Sequence, residues 1–130
     1  MATIFSKIIR GEIPSHLIAE DENFYAFLDI SPLHQGHTLV VPKREIDYLF
    51  DLENDELAAI LPFAKKIARA IEKTIPCLRV GIAVIGLEIP HAHLHLVPLQ
   101  GNNDLDFSRP KLTFTEEQMS ATAAAIRANL

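Results

Sequence analysis

"PHAHLHLVPL", residues 90–99, is the stretch on which the reading of this chain turns. His91, His93 and His95 stand at every second position, with Ala92, Leu94 and Leu96 between and after them. Strict alternation of this kind is the pattern of a half-buried strand. Successive side chains on a strand point to opposite faces, so the spacing predicts three imidazoles on one face and an apolar set on the other. Exposed histidine has no special value on a strand, and buried histidine needs hydrogen-bond partners. The row therefore calls for a chemical reason.

Working outward, "LRVGIAVIG" (78–86) reads as a neighbouring β-branched strand, joined to the histidine strand through Gly86–Pro90. Before it, residues 54–74 repeat apolar side chains at helical spacing: Leu57, Ile60, Leu61, Ala64, Ile67, Ala68 and Ile71. Pro62 lies inside that pattern and removes a backbone donor, which predicts a kink or a late start. "HTLVVP" is an apolar strand closed by Pro42, and residues 16–20 and 24–29 form a hairpin turned by Asp21–Asn23. Ile4, Phe5, Ile8 and Ile9 predict a short first helix, ended by Gly11 and Pro14. Downstream, "QGNNDLDFSRP" is loop, and Thr115 with Gln118 forms a capping box opening a last helix to about Asn129. The order predicts an α+β fold: a mainly antiparallel sheet of about five strands, one long helix, a short N-terminal helix and a C-terminal helix. All of it fits a single domain over residues 1–130.

Composition narrows the function classes. Hydrophobic residues at 48% and charged residues at 22% are ordinary for a soluble globular protein. The apolar runs fall far short of the roughly 18 residues of a membrane span, and the charged N-terminal stretch predicts no signal peptide. A lone Cys77 leaves no disulfide to form within the chain and fits a reducing, cytoplasmic setting. A net charge of −5 argues against extended nucleic acid as a partner, while a small phosphorylated ligand in a pocket remains allowed.

Two chemistries suit the row. A zinc site would need ring nitrogens at about 2.0–2.1 Å. On a strand rising about 3.3 Å per residue, the Cα atoms of His91 and His95 lie about 13 Å apart, so two rings could share an ion but hardly three. Attack on phosphorus fits better. A neutral imidazole is a good nucleophile near pH 7, and its neighbours could donate hydrogen bonds to phosphoryl oxygens.

The segment His91-Ala92-His93-Leu94-His95-Leu96-Val97 resembles the signature of the histidine triad (HIT) family at every position. The likeness runs over about residues 3–99, because "IFSKIIRGEIPSH", "AFLDISPLHQGHTLVVPK" and the long helix follow in the order of the Hint-like, nucleotide-binding branch. The resemblance implies a hydrolase or transferase acting at the α-phosphorus of nucleoside monophosphate conjugates of the phosphoramidate type. It implies His93 as the nucleophile, His91 and His95 as phosphate holders, and His37 as a fourth histidine completing the cluster. Read from its own position, His37 could equally satisfy a strand end. Asp29 matches the family's ribose-binding acid, though by residue type alone it could simply start the turn into Ser31–Pro32. Phe5, Ile8, Ile30 and Leu39 would contact the nucleotide. The resemblance also implies a homodimer and no cofactor. The alternatives are a dinucleoside polyphosphate hydrolase and a non-catalytic nucleotide-binding sensor.

Two departures from the family pattern stand out. Many bacterial relatives build a structural zinc site from cysteines and a histidine where this chain has Thr3, Ser6 and Glu45, leaving only His91 of that set. The expectation is that no metal binds. The approach to the triad, "VGIAVIGLEIPHAH", is also short and apolar where relatives carry polar neutral side chains. Glu88 in it would be a general acid if desolvation kept it protonated, and otherwise a solvated loop residue.

Overall fold

The central strands of the sheet are apolar on both faces, and helices cover each side of them. The computed structural model describes residues 2–130. Its elements are α1 (Ile4–Ile9), β1 (Leu17–Glu20), β2 (Phe24–Leu28), β3 (Thr38–Pro42), a short 3-10 turn (Leu49–Asp51), α2 (Asn54–Thr74), β4 (Arg79–Ala83), β5 (Leu94–Leu99) and α3 (Glu116–Ala128). The strands form one sheet in the order β1-β2-β3-β5-β4, and every neighbouring pair is antiparallel.

Even-numbered residues of β2, β3 and β5, among them Phe24, Ala26, Val40, Leu94 and Leu96, meet α2 and α3 in the main core. Odd-numbered residues of β2 and β3 (Tyr25, Phe27, Leu39, Val41) meet Phe5 and Ile8 of α1 on the other side. Covering both faces buries β2 and β3 at every position. Each large apolar side chain so buried contributes about 1.5–3 kcal/mol.

Local signals set the boundaries. The Asp21 carboxylate accepts from the N–H groups of Asn23 and Phe24, both at 2.8 Å, and turns the first hairpin. The capping box at α3 is complete: Gln118 N–H reaches the Thr115 hydroxyl at 3.1 Å, and Thr115 N–H reaches the Gln118 side chain at 2.8 Å. Among the described residues, no helix is long and apolar enough to cross a membrane.

The structure corrects four expectations. Helix α2 runs unbroken from Asn54 with Pro62 inside it, so there is no late start. Its buried stripe takes Phe63 and Ala70, while Leu61 faces outward at 58% exposure. The strand expected over 78–86 is held only from Arg79 to Ala83. Most important for function, β5 begins at Leu94, where its ladder with β3 ends in the pair Val40–Leu94. Upstream the backbone bonds are irregular, with His91 N–H on the Ile89 carbonyl and Ala92 N–H on the Ile46 carbonyl. His91 and His93 therefore lie on the approach to the strand, not on its ladder.

Candidate active site

Pairing of β3 with β5 sets Leu39 opposite His95 and brings the start of β3 beside the histidines. His37 is delivered there by Gly36, whose φ of +89° lies in the left-handed region. A Cβ at that position would also come within 3.0 Å of Ile75 Cγ1, so the turn requires glycine.

The hydrogen bonds assign the protons of this cluster. Leu33 N–H donates to His37 Nδ1 at 3.0 Å, so the His37 ring carries its proton on Nε2. That Nε2–H lies 2.9 Å from His95 Nδ1 and donates to it. His95 is left with its proton on Nε2, facing away from the pair. His93 Nδ1 lies 2.8 Å from the His91 carbonyl, which can only accept, so Nδ1 holds a proton and the lone pair of the neutral ring is on Nε2. Among the described residues no buried side-chain nitrogen or oxygen lacks a partner. His93 Nε2 and His95 Nε2 make no hydrogen bond, so both reach solvent.

Burial sets the charge state. Desolvation, helped by the neighbouring histidines, pushes the His37 pKa down to about 3 and that of His95 to about 4. Both rings are neutral at pH 7, and the 3.7 Å approach of Asp29 Oδ2 to His37 Nε2 is not an ion pair. Asp29 itself is pushed up by burial, against the pull of the Ser31 N–H on its Oδ1 at 2.9 Å. Asp29, His37 and His95 offer ligand atoms within 4.8 Å of one another. The Leu33 N–H, however, commits the His37 proton to the nitrogen that an ion would need, so these atoms are engaged with each other.

His91 departs from its expected role. It is fully buried, its Nε2–H donates to the Pro42 carbonyl at 2.7 Å, and its Nδ1 accepts the Thr3 hydroxyl at 2.8 Å. With both nitrogens engaged and no exposure, it cannot hold a phosphate. What it contributes is its carbonyl, which fixes His93. Phe5, Ile8 and Leu39 are buried in the α1-side core and form a floor instead of an open cleft, with the Phe5 ring 5.0 Å from that of His93. Ile30 stands exposed beside Asp29. Glu88 is exposed and unpartnered among the described residues, the solvated loop position that was the second of its two readings.

Comparison with known proteins agrees with this geometry. The HIT domain family model matches residues 10–102. The chain belongs to the histidine triad family. The adenosine 5′-monophosphoramidase of Schizosaccharomyces pombe is 31% identical over 100% of this chain and 99% of its own. A Hit-like protein involved in cell-cycle regulation from Bartonella henselae superposes with a TM-score of 0.85 at 31% identity, covering 98% of this chain and 96% of its own. A Zn-bound histidine triad family protein from Mycobacterium smegmatis superposes with a TM-score of 0.84 at 30% identity, over 99% and 93% of the two chains.

Zinc in that relative prompts a test of this histidine triad chain. Thr3, Ser6, Glu45 and His91 do converge, but as a closed hydrogen-bonded group. Glu45 Oε1 accepts from Thr3 N–H at 2.8 Å and from the Ser6 hydroxyl at 2.6 Å, which holds its carboxyl below the usual range. Thr3 Oγ1 accepts from Ser6 N–H at 3.1 Å, capping α1, while donating to His91. Two hydroxyls, one carboxylate and an imidazole nitrogen already engaged do not fit a zinc ion.

Sequence reasoning missed Phe107 and Lys111. The Phe107 ring packs edge-on against His95 with centroids 4.7 Å apart, and Lys111 Nζ lies 5.7 Å from the Phe107 centroid. Both sit in an aperiodic loop. The available signal was two cations, Arg109 and Lys111, in a loop otherwise charged only by acids.

Proposed function

We propose that this protein hydrolyses nucleoside 5′-phosphoramidates and related nucleoside monophosphate conjugates through a nucleotidyl intermediate on His93. One observation carries the reading: His93 Nδ1–H is fixed on the His91 carbonyl, so that the neutral ring presents the lone pair of its Nε2 outward. The lone pair of Nε2 attacks the α-phosphorus and the P–N bond breaks. The departing nitrogen takes the electron pair, gains a proton from solvent water and leaves as the amine, and the water that later attacks phosphorus returns a proton to solvent. The positive charge left on the His93 ring is shared through Nδ1–H with the carbonyl. The His95 Nε2–H, oriented by His37, donates to a phosphoryl oxygen as charge develops there. Water then attacks the phosphorus, giving the nucleoside monophosphate and returning the imidazole. Asp29 would accept hydrogen bonds from the ribose hydroxyls. The similarity to a monophosphoramidase supports this substrate class.

The test is incubation with adenosine 5′-phosphoramidate and analysis for AMP. Substitution His93→Ala is expected to lower turnover by at least about 10³-fold. A mass spectrum of acid-quenched enzyme should show added AMP on the peptide containing His93. Release of AMP that persists in His93→Ala would overturn the assignment, and binding without release by the unsubstituted protein would make it a sensor.

The same reading includes a homodimer in a reducing compartment such as the cytoplasm. Its support is β4, an edge strand bearing Ile82 at 47% exposure, followed by exposed Val84, Ile85 and Leu87. Light scattering on the purified protein should give twice the mass of 14.5 kDa.

A further inference from the structure

We propose that Lys111 binds the substrate's phosphate, an inference that rests on the nucleotide reading above. A phosphoryl group at the α-position is an anion, and charge spreads over its equatorial oxygens in the transition state. Of the rings beside that position, His37 and His95 are neutral at pH 7, because burial keeps them unprotonated. Asp29 beside it bears a carboxyl, and the approach to the triad offers only Leu87, Glu88 and Ile89. A cation has to come from elsewhere.

The loop after β5 brings one. Gly101 N–H donates to Asp104 Oδ2 at 2.9 Å, and Arg109 pairs with Asp104 at 3.0 Å, which folds the loop back on itself. Leu105 settles over Gly81 of β4, where a Cβ would stand 2.8 Å from Leu105 Cδ1. At its far end, Leu112 N–H donates to the Pro32 carbonyl at 2.8 Å, in the turn between Asp29 and His37. The loop is thus pinned on both sides of the histidines, and Phe107 lands on His95.

Lys111 is exposed, but its ammonium is tied back to this frame. Its Nζ donates to the Phe107 carbonyl at 2.6 Å and reaches the Arg109 carbonyl at 3.4 Å. An ammonium has three donors, so one N–H is left for a ligand. Arg109 is neutralised by Asp104, whereas Lys111 makes no ion pair among the described residues. Its Nζ lies 5.7 Å from the centroid of the Phe107 ring, and that ring packs at 4.7 Å on His95, which brings the charge to the edge of the histidine cluster.

The experiment compares AMP with adenosine by calorimetry on the full chain, using Lys111→Met and Lys111→Arg. Lys111→Met is expected to weaken AMP by about tenfold or more while leaving adenosine unchanged. Lys111→Arg should restore most of the AMP affinity. With adenosine 5′-phosphoramidate, kcat/KM should fall by about 10²-fold in Lys111→Met. Unchanged AMP affinity in Lys111→Met overturns the proposal. So does an equal loss for AMP and adenosine, which would mean the residue merely supports the loop. Wild-type protein that binds AMP no better than adenosine overturns it too. If the wild type binds AMP in a Lys111-dependent way but releases none from the phosphoramidate, the hydrolase reading fails and this one stands.

Discussion

His91 and His95 stand at equal distances along the chain from His93, yet their surroundings give them opposite work. His91 is closed off, with one ring nitrogen on the Pro42 carbonyl, the other on the Thr3 hydroxyl, and no exposure. His95 receives a single hydrogen bond, from His37, and keeps an N–H turned to solvent. The motif is symmetric and its environment is not. In such a row, function follows from which ring nitrogens the rest of the fold has already engaged.

Paired substitutions test that contrast most strongly. His95→Ala should cost turnover: about 10²–10³-fold in kcat, by analogy with loss of one donor to developing negative charge. His91→Ala should cost stability, about 3 kcal/mol or more in urea unfolding, since it strands the Pro42 carbonyl and the Thr3 hydroxyl and opens a cavity. If His95→Ala proved the more destabilised and His91→Ala the less active as a folded protein, the division would be wrong.

Acid sharpens the comparison next. The folded pKa values of about 3 for His37 and about 4 for His95 lie below the ordinary 6.5. As pH falls below 6.5 the unfolded chain takes up protons that the folded chain refuses, so stability is full above that pH and declines toward pH 4. Each histidine contributes a slope approaching about 1.4 kcal/mol per pH unit. Urea midpoints from pH 7.5 to 4.5 should show the decline, and it should be shallower in His95→Ala.

The smallest effect belongs to Thr3. Thr3→Val removes the hydroxyl that both caps α1 and donates to His91, and should cost about 1–2 kcal/mol, with Thr3→Ser restoring it. A valine variant as stable as the parent would show that His91 is held by burial alone.

Much of the fold was legible because it rests on periodicity. Helix α2, the first hairpin and the α3 capping box follow from local spacing, and each formed within a residue or so of its expected bounds. Leu61 and Phe63 traded places because both lie near the edge of a helical stripe, where packing and not pattern decides. The early part of the triad failed as strand because its partners, the Ile89 and Ile46 carbonyls, lie off the ladder. At the candidate site, the family likeness drew attention to His37 and Asp29, but the roles of Thr3 and Lys111 were hidden. Thr3 meets His91 across 88 residues, and Lys111 depends on how an aperiodic loop folds back. No local rule reaches that far.

The bond from the Leu33 amide to His37 has one more consequence. Because the donor belongs to the main chain, ordinary side-chain exchange at position 33 leaves it in place; proline alone deletes it. The direction in which the His37–His95 relay points is thus inherited from the shape of a loop rather than from its residues. So long as Gly36 keeps the turn in shape, evolution can change the side chain at position 33 and still pass on the same arrangement of protons.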